Sequence, residues 1–233
     1  MMHSRWINGN LAFWDTQQNR LLDAWGPTVN KWLLNLKHVD TDGTTTLGGY
    51  TVTLVAVGLG SALAVGDEVP GCLEITTGAT ENDGYSFQLL GEPFKLASKK
   101  PCYFGIKLKI GDATQTDFIA GLCITDTALL GGLTDGAYFR KVDGSTTVNF
   151  VLEKDSGETT GTAHTLGNDT FVTLEFYFDG TNVDFFVDGV LKTRVVQTNL
   201  PDDEELTPSL EFLTGEGNSN IMTVEWARVI QLN

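Results

Sequence analysis

Apolar and polar positions alternate with period two through much of this chain, most clearly from Phe171 to Val196. Alternate side chains of a strand point to opposite faces. Val172, Leu174, Phe176 and Phe178 therefore share one face, and Phe171, Thr173, Glu175 and Tyr177 share the other. A turn at Asp179-Gly180-Thr181-Asn182 sets Phe178 opposite Val183, Phe176 opposite Phe185 and Leu174 opposite Val187. A one-residue slip would send this whole apolar set to the wrong face, so the register is strongly specified. The second turn admits two registers. A two-residue loop at Asp188-Gly189 pairs Val187 with Val190 and sets Phe185 against Lys192. A three-residue loop, Val187-Asp188-Gly189, pairs Phe185 with Leu191, Val183 with Thr193, Asp184 with Lys192 and Asn182 with Arg194. The second keeps one face apolar and pairs opposite charges on the other, and is the register expected. It assigns Val172, Leu174, Phe176, Phe178, Val183, Phe185, Val187 and Leu191 to the core. Tyr177 and Phe186 are left as the aromatic residues of the far face.

The same reading predicts strands at 51–57, 72–76, 85–90, 102–110 and 118–125. A hairpin of 137–142 and 147–153 turns at Asp143-Gly144, and further strands cover 162–166, 209–213 and 222–232. About a dozen short strands with turn signals between them predict an all-β antiparallel sandwich. The first 49 residues read differently, as a Trp-rich N-terminal arm or hairpin ahead of a sandwich spanning 50–233. Leu11–Asp15 and Arg20–Gly26 fit a hairpin about Thr16-Gln17-Gln18-Asn19. The stretch from Pro27 to His38 fits a short helix beginning at Pro27 or a strand through Trp32, Leu34 and Leu36, and both stay open. Removal of residues 1–38 is expected to leave the sandwich folded.

Charge narrows the partners. Thirty acidic residues face 15 basic ones, for a net charge of −15. An acidic surface repels phosphates, so direct nucleic-acid binding is not expected. Cys72, Cys102 and Cys123 are odd in number, lack CxxC spacing and lie in apolar runs, which predicts buried free thiols and a reducing compartment of assembly. The first residues, MMHSRWINGN, hold no apolar signal core, and no stretch reaches transmembrane length.

The segment FYFDGTNVDFFVDGVLKTRV resembles the laminin-G-like and concanavalin A-like jelly-roll sandwiches. There an apolar strand, a short turn, a strand ending in Asp-Gly and a return strand recur. The wider order is similar to tailed-phage virion proteins carrying this sandwich: CLEITTGATENDGYSFQLLGEPFKL from Cys72, then YFGIKLKI, FIAGLCITDT, TDGAYFRKVDGSTTVNFVLEKD, LPDDEELTPSLEF and TVEWARVIQ. The resemblance covers residues 50–233. It implies a concanavalin A-like fold and a non-enzymatic decoration or cement subunit on the capsid surface, assembled in the host cytoplasm. It also implies the major capsid protein as partner and a homo-oligomer such as a trimer, with no cofactor. The alternative it carries is a carbohydrate-binding module of a tail or fibre, with a glycan as partner.

Candidate chemistry is sparse. Glucanases of this class carry two cleft carboxylates on one strand in an E-x-D-x-E run, and this sequence has none: Asp179, four residues after Glu175, is in a turn, and Glu211 and Glu216 are split by Gly215. An enzyme is not expected. Asp40-Thr41-Asp42-Gly43 begins like a calcium loop but lacks the later ligands. Asp202-Asp203-Glu204-Glu205 reads as a solvated loop, and His3, His38 and His164 are isolated, so no metal is expected. Two features remain. Glu175, Tyr177 and Phe186 share an outward face that could stack a sugar or meet a protein. Trp6, Trp14, Trp25 and Trp32 crowd the first 32 residues and are expected to form a capsid or inter-subunit contact, since tryptophan concentrates at interface hot spots.

Overall fold

The computed structural model of the chain describes residues 2–7, 9–34, 45–47, 50–55, 60–67, 71–195 and 198–233. Leu36, His38, the calcium-like Asp40-Thr41-Asp42-Gly43 stretch and Val196 lie outside the described residues. In chain order the strands begin with β1 (Met2–Ile7), β2 (Asn10–Asp15), β3 (Arg20–Trp25), β4 (Val29–Leu33), β5 (Thr45–Leu47) and β6 (Tyr50–Val55). Next come β7 (Ala62–Gly66), β8 (Cys72–Thr76), β9 (Gly84–Leu89), β10 (Cys102–Ile110) and β11 (Thr116–Cys123), followed by a short helix α1 (Leu129–Gly132). The rest are β12 (Gly136–Lys141), β13 (Thr147–Lys154), β14 (Gly157–Thr165), β15 (Val172–Phe178), β16 (Val183–Val187), β17 (Val190–Val195), β18 (Thr207–Thr214) and β19 (Ile221–Leu232).

Two eight-stranded antiparallel sheets face each other, and a three-stranded sheet, β1-β2-β3, is added to them. Sheet I runs β17-β16-β15-β10-β19-β8-β7, with β4 also paired to β19. Sheet II runs β14-β13-β12-β11-β18-β9-β6-β5. The long β19 holds two short strands end to end: β4 along Arg228–Leu232 and β8 along Ile221–Val224. This is the all-β, concanavalin A-like sandwich expected, with an additional small N-terminal sheet.

The core between the sheets is built from alternate positions. Phe104 stacks on Phe176 at 5.4 Å, and Phe150 packs on Phe176 and Phe185 at 5.4 and 5.1 Å. The β15–β16 hairpin has the expected register, with Phe178 opposite Val183, Phe176 opposite Phe185 and Leu174 opposite Val187. The β16–β17 turn does not. Val187 pairs with Val190 through a two-residue loop whose Asp188 and Gly189 have φ of 50° and 74°, the two positive values of a type I′ turn. Phe186 then meets Leu191, and a bulge at Lys192 restores Phe185 to Thr193 and Asp184 to Arg194. The bulge removes the clash of Phe185 with Lys192 without lengthening the loop. The two-residue loop sets Leu191 opposite Phe186 on the outward face, where it is half exposed rather than in the core.

The N-terminal region departs from the expected division. The segment after Pro27 is a strand, because β19 offers it an edge, and β5 pairs with β6 at the rim of sheet II. Both eight-stranded sheets thus draw on residues before 50. Deleting residues 1–38 would therefore remove β4 from sheet I together with the N-terminal sheet.

Candidate functional site

The outward face of β15 and β16 is covered. Glu175, Tyr177 and Phe186 are all buried, the first at 3% exposure and the last at none. The cover is the inward face of the N-terminal sheet, where Ala12, Trp14, Leu21 and Ala24 pack on Tyr103, Tyr177, Phe186 and Ile230. Trp14 meets Tyr177 edge-on at 5.5 Å between ring centroids. The Arg20 guanidinium lies 5.2 Å from the Phe186 ring and pairs with the Glu175 carboxylate. Tyr103 donates its hydroxyl proton to Glu175 at 2.6 Å, and Arg228 donates to the Tyr103 hydroxyl at 3.4 Å. Burial pushes the Tyr103 and Tyr177 hydroxyls well above the ordinary phenol range. The aromatic face beside the Glu175 carboxylate is therefore an internal contact of the chain. Aromatic side chains on both elements supply its apolar area, and the buried Glu175 is matched by a cation and a phenol.

The four tryptophans do not act as one group. Trp14 is 7% exposed and faces inward. Trp32 lies on β4 and packs edge-on against Tyr50 at 5.5 Å, at the rim of the main core. Trp6 and Trp25 face solvent, at 72% and 62% exposure. Their positions follow from register: Trp6 is opposite Leu11, and Leu11 is opposite Trp25, so the three form one row across the outer face of the N-terminal sheet. Phe13 lies on the same face, opposite Ser4 and Asp23. Lys31 sits 4.7 Å from the Trp25 ring and pairs with Asp23 at 2.7 Å, which holds that indole in place. The sequence signal for this row is the parity of β2, where Leu11 and Phe13 oppose Ala12 and Trp14. Using it requires β1, whose MHSRWI sequence has no alternation to reveal it.

Sheet II carries further titratable groups on its outer face. Ile119, Cys123, Leu129, Tyr138 and Val151 form a small apolar cluster there, with α1 folded over it. Tyr138 donates to Glu153 at 2.5 Å, and burial raises the Glu153 carboxyl above its ordinary value. Glu211 accepts the Leu130 N–H at 2.8 Å, and its carboxyl is pushed up to about 7 by burial. Glu211 belongs to β18 and Glu153 to β13, with β11 and β12 between them. Register sets Glu153 level with Thr207, four residues along β18 from Glu211, so with three inter-strand spacings their backbones lie ~19 Å apart, beyond the roughly 5–9.5 Å between carboxyls that glycoside hydrolysis uses. Next to Glu211 a groove of about 110 Å³ opens among β6, β9 and the 125–127 loop.

All three cysteines are buried free thiols, and burial pushes Cys102 and Cys123 far above the ordinary thiol range, so neither is a reactive thiolate. The 202–205 acids lie in a solvated loop, as expected: Lys154 pairs with Asp202 and Asp203 at 2.7 and 2.9 Å, and Lys95 with Glu205 at 3.0 Å. Among the described residues no group of three or more His, Cys, Asp or Glu is arranged to hold a metal. No helix of the described residues is long and apolar enough to cross a membrane.

Comparison with known proteins places this fold. A solved protein of unknown function, SO2946 from Shewanella oneidensis MR-1, is similar over 89% of this chain and 88% of its own, with 13% identity and a TM-score of 0.64. The carbohydrate recognition domain of Emp46p in its potassium-bound form covers 84% of this chain and 94% of its own, at 13% identity and a TM-score of 0.58. The β-glucanase of Bacillus licheniformis covers 85% and 97%, at 11% identity and a TM-score of 0.58. At such identities these likenesses speak for the fold alone. No curated protein matches the chain in sequence. The family model described as SO2946-like, C-terminal domain matches residues 68–202, more than half of the chain, and the chain belongs to that family.

Proposed function

We propose that the chain is a non-catalytic binding module whose contact surface is the outer face of the N-terminal sheet, and that it serves as a decoration subunit on the outside of a tailed-phage capsid. The observation that carries the reading is the row Trp6–Leu11–Trp25, with both indoles solvent-exposed on the N-terminal sheet. Burying one such side chain contributes on the order of 2–3 kcal/mol. A six-residue, three-stranded face spans only ~300 Å², against the ~800 Å² per partner of a stable pairwise complex. One copy therefore holds weakly, and several copies in a symmetric oligomer such as a trimer add their contacts by avidity. That arithmetic favours a repeating lattice, such as that of a major capsid protein, over a lone partner. The net charge of −15 fits a position facing away from packaged nucleic acid. The virion assignment itself rests on the resemblance over residues 50–233.

A hydrolytic role has no support in the separation of Glu153 and Glu211. A glycan site built on Glu175, Tyr177 and Phe186 has none either, because the N-terminal sheet covers all three. The test is decoration of phage heads that lack this protein, using the wild-type chain and the double variant Trp6→Ala/Trp25→Ala. Wild-type protein is expected to co-sediment with heads, and the folded double variant to remain in the supernatant. Equal occupancy by both would refute the reading.

A further inference from the structure

The loop between β11 and β12 is of the Ω type, a compact surface loop whose ends are held together. The Ile124 N–H donates to the Asp135 carbonyl at 3.1 Å, and Cys123 lies opposite Gly136 directly below. Both legs are tied down. The Thr125 and Asp126 N–H groups donate to Glu92 and Gln88 at 2.7 and 3.0 Å, and Asp135 Oδ1 accepts the Asp155 N–H at 3.1 Å. The tip, which carries α1, is attached by other means. Leu129, Leu130 and Leu133 rest on Ile119, Cys123, Tyr138 and Val151, a cluster apart from the core between the sheets. Glu211 supplies a polar contact by accepting the Leu130 N–H at 2.8 Å.

α1 has little stability of its own. Two of its four residues are glycines, and no side chain caps it. A helix this short is held by what it packs against. Its leucines join it to a small satellite cluster, and local opening is drawn from such lightly packed parts. Because the legs stay tied, the tip can lift without parting a strand from either sheet. Cys123 would then emerge from full burial, with Tyr138 and Glu153 beside it. We infer that α1 is a lid on the outer face of sheet II, latched by Glu211 and released when that carboxyl ionises.

The direction follows from the groups around Glu211, which is buried while the lid is closed. Asp117 of β11 and Asp126 of the loop are the charges acting on it, and both are acids. Ser86 of β9 lies opposite it and Thr53 of β6 beyond, both uncharged. α1 offers leucine side chains and backbone N–H groups. Arg140 of β12, across Ile119 in the same row, is engaged by Glu158 at 2.6 and 2.7 Å. The Leu129 and Leu130 N–H groups favour the charged form, but burial outweighs them and pushes the carboxyl up to about 7. With the lid lifted, the carboxyl returns to water and to its ordinary value of 4.5. Raising the pH through that window therefore favours the open state, by roughly 70-fold between pH 5 and pH 8. The lid shares no residue with the Trp6–Trp25 face, so the failure of either reading leaves the other standing.

The experiment is thiol labelling of the native full chain with dithiodipyridine at pH 5 and pH 8. Each modified cysteine is quantified by mass spectrometry, and each rate is divided by that of free cysteine at the same pH. Cys123 is expected to react well before Cys72 and Cys102, which are buried in sheet I. Its normalised rate is expected to rise roughly 70-fold from pH 5 to pH 8 in the wild type and to stay level in Glu211→Gln. Gly131→Ala, where an added Cβ meets nothing within 4 Å, favours the helix and is expected to slow the reaction roughly two- to fivefold at both pH values. Cys123 reacting no faster than Cys72 and Cys102 would overturn the inference, because only global unfolding would then expose it. A rise with pH of the same size in Glu211→Gln would overturn it as well.

Discussion

Replacing Glu211 by glutamine is expected to stabilise the protein at alkaline pH and to leave it nearly unchanged in acid. Glu211 is 2% exposed beneath α1, and burial is the largest cause that raises its carboxyl from 4.5 to about 7. A pKa unit is worth about 1.4 kcal/mol, so ionised Glu211 costs the folded state about 3 kcal/mol. The folded-state value lies above the unfolded one, which fixes the sign. Below pH 4.5 the group is protonated in both states and costs nothing. Between pH 4.5 and about 7 the folded state binds more protons, so stability falls as pH rises. Above that the full cost is present. Glutamine does not titrate, and its Oε1 can still accept the Leu130 N–H held at 2.8 Å by the native carboxylate. Urea unfolding of both proteins at pH 4.5 and pH 8 isolates the effect, because the other titrating groups are common to both. Glu211→Gln should gain up to about 3 kcal/mol at pH 8 relative to wild type, and little at pH 4.5. A stability difference that is the same at both pH values would refute the argument.

Three further outcomes follow from the same packing. Trp14→Ala should cost about 3–5 kcal/mol in denaturant unfolding, as a buried indole against Tyr177, whereas Trp6→Ala and Trp25→Ala should each stay within about 0.5 kcal/mol. Lys141 is fully buried, donates to the Thr114 carbonyl at 3.2 Å and to Thr116, and is lowered to about 8 by burial. Its charged form is disfavoured in the fold, so stability should rise between about pH 8 and 10.5, and Lys141→Met should flatten that rise in a pH series of melting curves. A chain lacking residues 1–28 keeps β4 but uncovers Tyr103, Tyr177 and Phe186, so it should bind a hydrophobic dye that the intact protein excludes.

Local pattern carried much of the sandwich. The Asp179–Asn182 turn and four apolar residues in strict alternation were enough to place Phe176 opposite Phe185, because a slip there exposes the whole set. The next hairpin departs from the expected three-residue loop because a bulge at Lys192 answers the charge conflict without a longer loop, and nothing in VDGVLKTRV marks a bulge. β1 is not legible in the sequence because its exposed residues do not alternate, and without it the parity of Trp6 against Trp14 has no frame. The burial of Tyr177 and Phe186 was hidden for another reason. Their cover, Trp14 and Arg20, comes from more than 150 residues earlier, and no spacing in the sequence records that contact. The groove is similar: β6 and β9 contribute two polar residues each and the 125–127 loop three, and only sheet order brings them together.

Electron cryomicroscopy of heads carrying the protein tests the central claim most directly. The account predicts that each subunit meets the lattice through the outer face of β1-β2-β3, with Trp6 and Trp25 buried against the capsid protein and the sandwich pointing outward. Density showing the N-terminal sheet facing solvent, with sheet II or the sheet edges on the lattice, would contradict it.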